Sequence, residues 1–254
     1  METGIKQQFL DLWQRYFPGA DWPIVFYYAQ EVRQAELVQP AKGQRCLIGD
    51  LNRVRRGESL AFNKDAVGCS GGKRYLGFTQ DLRPNFEYFL SCGIPGEMEG
   101  ERYKKSPELV REHLKIQHTF KAPEPVIIFK RWDNLLEEDQ PLVVIFYASA
   151  DLLAGLFTLA NYDEPNNQAV IAPFGSGCSA IVHYPYVEYG SEHPRAVLGM
   201  FDVSARPYVS ADVLTLAVPW TKFTRMLGNM EESFLITQSW TKLHSRLPVR
   251  YKAS

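Results

Sequence analysis

The amino-acid sequence predicts an α/β or α+β protein in which two similar halves pack as one globular unit with a mixed sheet. Short apolar runs rich in β-branched and aromatic residues alternate with amphipathic segments along the 254-residue chain. The tripeptide Gly-Cys-Ser occurs at 68–70 and at 177–179, each time after an apolar run and before a segment that can turn helical. We therefore expect one domain, residues 1–254, with an internal repeat of 23–136 and 141–227, each half a series of strand, helix, strand and helix.

The first half follows an amphipathic N-terminal helix over residues 3–17, which has apolar residues at helical spacing and ends at Pro18-Gly19. Ser106-Pro107-Glu108 is typical of a helix start, with a serine cap, a proline in the first turn and an acid near the positive end. The predicted elements of this half are a strand at 23–28, a helix from 45 to 57, a strand at 59–62, a helix after the first Gly-Cys-Ser, a helix at 106–117, a strand at 125–129 and a short helix at 132–138.

The second half begins with the strongest strand pattern in the chain, the apolar run at 141–147. A C-terminal helix is expected at 231–243, outside the repeat. The predicted elements of this half are a strand at 141–147, a helix at 149–161, a strand at 169–174, a helix after the second Gly-Cys-Ser, strands at 196–203 and 213–218, and a helix at 220–227.

Residues 79–105 interrupt the first half with proline, glycine and mixed charges, which predicts a long surface excursion or lid. Four aromatic residues lie in or beside its first part, and they either line an apolar pocket under the lid or pack in the core. They are Phe78, Phe86, Tyr88 and Phe89.

The composition is that of an ordinary soluble protein, with 45% hydrophobic and 22% charged residues. A net charge of −1 gives no general attraction to nucleic acid or to an anionic membrane. No apolar run approaches the roughly 18 residues of a membrane span, and the N-terminus lacks the pattern of a signal peptide. We expect a cytoplasmic protein that binds neither nucleic acid nor membrane, and its oligomeric state stays open.

The four cysteines are too sparse for a disulfide framework, so reduced thiols are expected. A thiol at a helix N-terminus has a lowered pKa, which would make Cys69 or Cys178 a nucleophile, a redox thiol or a metal ligand. The alternative is a small residue buried in a tight turn. Cys46, Cys69 and Cys178, with Cys92 as a further candidate, are expected to hold an iron–sulfur cluster or zinc only if the fold brings them together.

A serine nucleophile is the other catalytic hypothesis, because Gly68 to Gly72 match the Gly-x-Ser-x-Gly pattern of a hydrolase elbow around Ser70. Asp202 is an available partner. The histidines that could complete such a triad are His183, His193 and His244.

Binding of a small anionic ligand is expected if the backbone N–H groups of the two Gly-Cys-Ser turns converge on one place. Arg206 lies in a turn between two strands, where its planar guanidinium could clamp a carboxylate or phosphate or form a surface ion pair. The expected ligand-binding residues are Cys69, Ser70, Gly71, Cys178, Ser179 and Arg206.

The order of these motifs resembles the ArCR family of archaea and bacteria, also called domain of unknown function 169, from about residue 23 to 230. The residues that carry the resemblance are Cys46, Gly-Cys-Ser-Gly-Gly with Leu76-Gly77-Phe78, Glu101 to Pro107, Gly177 to Ile181, Asp202 to Arg206, and Val218-Pro219. The resemblance implies no activity, and it directs attention to the same three cysteines and to Arg206.

The leading hypothesis is therefore a binding protein for a small anionic ligand or a metal-containing cofactor, such as an iron–sulfur cluster, at the Gly-Cys-Ser turns. The first alternative is an enzyme with Cys69 or Ser70 as its nucleophile, which needs a histidine or carboxylate within hydrogen-bond reach. The second is an interaction or oligomerisation module in which the cysteines only pack.

Overall fold

The computed structural model describes residues 4–40 and 42–247, and a mixed sheet forms its centre. The order of the strands in this sheet is β2-β3-β4-β1-β5-β8-β7-β6. The strands are β1 (Ile24–Ala29), β2 (Glu36–Leu37), β3 (Leu60–Phe62), β4 (Val126–Arg131), β5 (Val143–Ala148), β6 (Val170–Ile171), β7 (Ala196–Gly199) and β8 (Leu214–Pro219). The predicted mixed α/β class is confirmed.

The pairing of the strands is the same when the sheet is read outward from its centre in either direction. Strands β1 and β5 pair antiparallel in the middle. Outside them come β4 and β8, then β3 and β7, all antiparallel, and finally β2 and β6, which are parallel to their neighbours. A duplication would produce this order, and the repeat of 23–136 and 141–227 stays a prediction.

The two Gly-Cys-Ser tripeptides do not occupy equivalent places in this order. Cys69 follows β3, whereas Cys178 follows β6, so the counterpart of Cys178 is Cys46, which follows β2. The two Gly-Cys-Ser tripeptides are thus similar in local sequence, but they do not occupy equivalent positions in the topology of the two halves.

Helices cover both faces of the sheet, and none of those described is long and apolar enough to cross a membrane. The α-helices are α1 (Ile5–Tyr16), α2 (Leu47–Arg55), α3 (Ser70–Tyr75), α4 (Phe86–Phe89), α5 (Pro107–Ile116), α6 (Ala150–Asn161), α7 (Tyr184–Tyr189), α8 (Trp220–Gly228) and α9 (Gln238–His244). A π-helix covers Ser179–His183, and 3-10 turns cover Trp132–Asn134, Arg206–Tyr208 and Phe234–Ile236.

Some predicted elements are shorter or divided. The C-terminal helix expected at 231–243 is a 3-10 turn followed by α9, because Thr237 begins a new helix by accepting a hydrogen bond from the Trp240 N–H at 3.4 Å. The strand expected at 169–174 is reduced to the two residues of β6. Its run ends before Pro173, which has no N–H to donate to a sheet.

Alternate residues of the central strands enter two different cores. On β5, Val144 and Phe146 pack with α1, α6, α8 and α9 on one face. Val143, Ile145 and Tyr147 pack on the other face, which is covered by α2 and the π-helix. This alternation places the Tyr147 side chain on the same side of the sheet as the cysteines at the start of those two helices.

The segment at 79–105 is the predicted surface excursion, and we call it the lid. Its backbone is held by hydrogen bonds from the Arg102 N–H to the Ser91 carbonyl at 3.0 Å and from the Glu101 N–H to the Phe89 carbonyl at 2.8 Å. Helix α5 follows, capped by the Ser106 hydroxyl, which accepts from the Leu109 N–H at 3.3 Å.

Candidate functional site

Three segments of the chain meet beside the sheet, and each carries one cysteine. A Cβ atom on Gly68 would lie 2.7 Å from the Cβ of Arg45 and 2.9 Å from its backbone nitrogen, so only glycine fits there. A Cβ on Gly177 would lie 3.0 Å from the Cγ1 of Ile48. The residues before Cys69 and before Cys178 are therefore both in close contact with the start of α2, which Cys46 precedes.

The thiols of these cysteines lie near enough to influence one another. Burial raises the pKa of the Cys46 thiol, N–H groups of Gly49 and Ile48 oppose this, and the nearby Cys69 adds to it. Burial raises the pKa of the Cys178 thiol well above its ordinary value, and Cys69 and Cys46 add to the increase. Activation of Cys178 by a helix N-terminus, expected from the sequence, is thus outweighed by desolvation.

The Cys69 thiol has a different setting, because it is half-buried and caps α3. Its Sγ accepts a hydrogen bond from the Gly72 N–H at 3.2 Å. Cys92 lies on the lid and is exposed. Within residues 4–40 and 42–247, no three histidine, cysteine, aspartate or glutamate side chains are arranged to hold a metal ion.

Tyr147 adds an unsatisfied polar group to this cluster. Its hydroxyl is buried and has no hydrogen-bond partner, while the Arg55 guanidinium lies over its ring at 4.4 Å from the centroid. Burial raises the pKa of Tyr147, the positive charge of Arg55 opposes this, and Cys178 and Cys46 add to the increase. Tyr147 and Cys178 belong to the same core cluster, and Cys46 packs against it. We call Cys46, Cys69, Cys178 and Tyr147 the thiol cluster.

The other residues expected at the ligand site make contacts within the fold. The Ser179 hydroxyl is fully buried and donates to the Ser176 carbonyl at 2.8 Å. The Arg206 guanidinium donates to the carbonyls of Ala211 at 2.6 Å, Ser210 at 3.2 Å and Val213, which closes the turn before β8. The Ser179 hydroxyl and the Arg206 guanidinium therefore stabilise loops by donating to backbone carbonyls. These contacts could not be predicted from the sequence.

Ser70 and Gly71 lie in the first turn of α3, and Ser70 is exposed. In the described part of the chain, no hydrogen bond joins Cys69 or Ser70 to a histidine or a carboxylate. Asp202 accepts instead from the Gly177 N–H at 2.9 Å and from the Ser204 hydroxyl at 2.8 Å.

A cavity of about 480 Å³ lies beside the two Gly-Cys-Ser turns, within the ~300–1,000 Å³ range of small-molecule sites. The lid, α5, the turn before Gly177 and the loop after β7 all contribute to its wall. Most of its lining is apolar, and the side chains that make it so are Tyr75, Phe86, Phe89, Leu90, Phe174, Met200, Phe201 and Val203.

Two of the four aromatic residues proposed for a pocket under the lid, Phe86 and Phe89, line this cavity. Phe78 borders a different surface recess, and Tyr88 is not part of the lining. The sequence missed Phe174 as a lining residue, because its neighbourhood reads as a strand. Tyr103 and His113 contact its ring edge-on, with centroids 6.4 and 6.2 Å away.

The polar groups of the cavity are few and include two acids, Glu101 and Asp202. Burial and the positive charge of Lys104 lower the pKa of His113, which favours a neutral imidazole. The Lys104 ammonium lies over the Phe174 ring at 4.3 Å from its centroid. The cavity thus offers an aromatic wall with hydrogen-bonding groups in one part of it.

Met200, which also lines the cavity, has an unusual backbone conformation. It is fully buried and has a φ of 71°, in the left-handed region that residues with a side chain rarely adopt. Such residues persist where the surrounding structure holds them, often at ligand sites.

His183 is the last residue of the π-helix that follows the second Gly-Cys-Ser turn. It is almost completely buried, neither ring nitrogen makes a hydrogen bond of good geometry, and aromatic rings of Tyr75 and Phe120 lie 5.8 and 5.5 Å away. Burial lowers its pKa to about 4, with a smaller opposing effect from the His118 backbone. A π-helix is uncommon and is often found at functional sites.

Comparison with known proteins decides the family. The model of the uncharacterised ArCR proteins, domain of unknown function 169, matches residues 23–229. The chain belongs to the ArCR family. The match spans both halves of the sheet, the thiol cluster and the cavity of this ArCR protein. No curated protein and no solved structure gives a significant match.

Proposed function

We propose that this ArCR protein binds a small molecule with a mainly apolar body in the 480 Å³ cavity. The observation that carries the proposal is the cavity itself, whose wall combines the lid with the segments around both Gly-Cys-Ser turns. A protein folded for packing alone would bring these side chains into mutual contact. Phe174 does contact Tyr103 and His113, yet Phe174 and Phe201 remain 49% and 55% exposed at the cavity.

The lining favours a neutral or cationic ligand over the small anion expected from the sequence. The carboxylates Glu101 and Asp202 would repel an anion at the polar part of the cavity. Helix α3 has only six residues, so the turn at Cys69 offers a weak dipole to an anion.

Gly71 lines the cavity, so substitutions at this position can be used to fill it. A Cβ atom on Gly71 would have the Cε2 atom of Tyr75 as its nearest neighbour, at 3.9 Å, and both residues line the cavity. Gly71→Phe should therefore place a ring in the cavity, whereas Gly71→Ala should leave it open.

Titration with Nile red, a neutral dye that fluoresces in apolar surroundings, tests the proposal. We expect one dye per chain for the native protein and for Gly71→Ala, and at least a tenfold loss of affinity for Gly71→Phe. Phe157→Ala, which removes an aromatic ring that is 44% exposed on α6, is the matched surface control. Equal dye affinity in Gly71→Phe and Gly71→Ala would count against the cavity as the binding site.

The metal-containing cofactor expected from the sequence at Cys46, Cys69 and Cys178 has little support, because no three of the described histidine, cysteine, aspartate and glutamate side chains are arranged to hold a metal ion. An ultraviolet–visible spectrum with elemental analysis of anaerobically purified protein tests this. Iron with sulfide and a broad visible absorption would identify a cluster, and a metal bound without such absorption would identify a mononuclear site.

An enzyme with Cys69 or Ser70 as nucleophile has less support, because the Cys69 sulfur accepts from a backbone N–H and no described base hydrogen-bonds to either side chain. A purely structural role for the cysteines would be favoured if replacing Cys69 and Cys178 by alanine changed neither ligand content nor thiol reactivity.

A further inference from the structure

We infer that the ligand of the 480 Å³ cavity is an organic cation, a protonated amine or quaternary ammonium with an apolar body, and that Glu101 selects for its charge. This choice of ligand rests on the binding function proposed above and narrows it to one charge class. Each part of such a ligand has a counterpart in the wall, which combines aromatic rings with the carboxylates of Glu101 and Asp202.

The first support is the charge of the lining. Among the described lining residues, Glu101 and Asp202 are negatively charged, and neither lysine nor arginine is present. His113 does not offset these charges near pH 7, because burial and the positive charge of Lys104 lower the pKa of its imidazole. The lining is therefore negative, although the whole chain is almost neutral with a net charge of −1.

The second support is that neither carboxylate has a counter-ion in the described part of the chain, where no lysine, arginine or histidine forms an ion pair with Glu101 or Asp202. Asp202 is half-buried, and its described hydrogen bonds come from uncharged donors, the Gly177 N–H and the N–H and hydroxyl of Ser204. A carboxylate that is partly removed from water is stabilised by a nearby positive charge. A cationic ligand would supply the charge that the fold does not.

The third support is the aromatic part of the wall, because ammonium groups are attracted to the faces of aromatic rings. Two of the lining rings already hold cations of the lid in this way. The Arg83 guanidinium lies over the Phe89 ring and the Lys104 ammonium over the Phe174 ring, each 4.3 Å from the centroid. The Phe201 ring has no such cation among the described residues and is 55% exposed at the cavity, so it is available to a ligand.

The same two features disfavour the other charge classes. A neutral ligand with the same body would contact the aromatic rings but would leave both carboxylates without a counter-ion. An anionic ligand would contact the rings as well, and the carboxylates would repel it. The charge of the ligand should therefore decide its affinity when the apolar body is kept constant.

Competition between bound Nile red and three compounds with one common body tests this inference. Phenylbutylamine is cationic near pH 7, phenylbutanol is neutral and phenylbutyrate is anionic. We expect the amine to bind about tenfold more tightly than the alcohol, and the butyrate to bind most weakly. The advantage of the amine over the alcohol should decrease as sodium chloride is added, because salt screens the attraction between charges.

Glu101→Gln removes one negative charge from the lining and nearly preserves the shape of the side chain. It should reduce the advantage of the amine over the alcohol to about threefold or less. Glu101 is exposed, and continued binding of the alcohol shows that the variant is folded. The matched control is Glu97→Gln, which removes the same charge from an exposed position of the lid outside the lining and should retain the native preference.

The possible failures point to different conclusions. Equal affinity for the amine and the alcohol, a preference for the butyrate, or no displacement of bound dye by any of the three compounds would overturn the cationic ligand and leave the cavity as the dye site. An equal loss of preference in Glu97→Gln and Glu101→Gln would overturn it too, because the attraction would then come from the charge of the whole lid. Failure of the native protein to bind Nile red and all three compounds would contradict the binding function itself.

Discussion

The backbone N–H of Gly177 donates to the Oδ2 atom of Asp202 across 2.9 Å, which joins the second Gly-Cys-Ser turn to the cavity wall. The other oxygen of Asp202 accepts from the N–H and the hydroxyl of Ser204 at 3.0 and 2.8 Å. One carboxylate therefore fixes both the turn before Cys178 and the loop after β7. The thiol cluster and the cavity share this support.

Asp202→Ala should lower the free energy of unfolding by about 1.5–3 kcal/mol, because hydrogen bonds to a charged acceptor are lost and a turn is released. Asp202→Asn keeps one acceptor oxygen and should lose less. Urea denaturation measures both. The exposed Asp212→Ala is the control, and an equal effect of Asp202→Ala and Asp212→Ala would disprove the structural role.

The two glycines around Cys69 should respond in opposite ways to the same substitution. Gly68→Ala places a methyl group 2.7 Å from the Arg45 Cβ and against its backbone, and should cost about 1–3 kcal/mol. Gly71→Ala lies in α3 with 3.9 Å of clearance and should be neutral or stabilise by up to about 1 kcal/mol. Thermal melting compares the pair, and similar melting temperatures would contradict the close contact of these segments.

His183 should make the protein sensitive to acid. Burial lowers its native pKa to about 4 from an ordinary value of 6.5, so the unfolded chain binds the proton more readily within that window. Stability is therefore lost as the pH falls from 6.5 towards 4, by up to about 3 kcal/mol. We expect His183→Phe to lose this part of the pH dependence and to stay folded near pH 7, since the ring nitrogens make no hydrogen bond of good geometry and the ring lies among aromatic side chains.

Urea denaturation at several pH values measures this effect of His183. The exposed His193→Gln should retain the native pH dependence and is the matched control. If His183→Phe follows the same curve of stability against pH as the native protein, the buried histidine is not the acid-sensitive group.

The four thiols should react at different rates with Ellman's reagent. Cys92 is exposed and should react first, Cys46 and Cys69 more slowly, and Cys178 only on unfolding, because burial keeps it protonated and out of reach. Rates measured on Cys92→Ser and Cys178→Ser assign the phases. A fast phase that survives in Cys92→Ser but disappears in Cys178→Ser would contradict the burial of Cys178.

The central strands of the sheet were predictable because their signal is local, whereas the two-residue strand β2 was not predicted. All six residues of β5 are buried, and the uninterrupted apolar run at 141–147 is the direct consequence. The C-terminal helix was predicted too long, because the helical spacing of apolar residues continues across Thr237. The Thr237 hydroxyl caps α9, so the helix begins only after this residue.

The candidate site was only partly predictable, because its parts are joined by topology. The motif directed attention to Cys69 and Cys178, but their approach to Cys46 depends on glycine contacts between distant segments. Arg206 looked like a ligand-binding residue because the sequence does not reveal that its guanidinium donates hydrogen bonds to backbone carbonyls of the same turn. Phe174 could not be assigned to the cavity from the sequence, because the wall of the cavity is formed by several segments that are distant along the chain.

A crystal structure of the protein with Nile red bound tests the central claim most directly. The ring system of the dye should lie in the cavity among Phe89, Phe174 and Phe201, with the lid in place over it. Dye found at another surface, with the cavity filled by its own side chains, would contradict the proposed binding function.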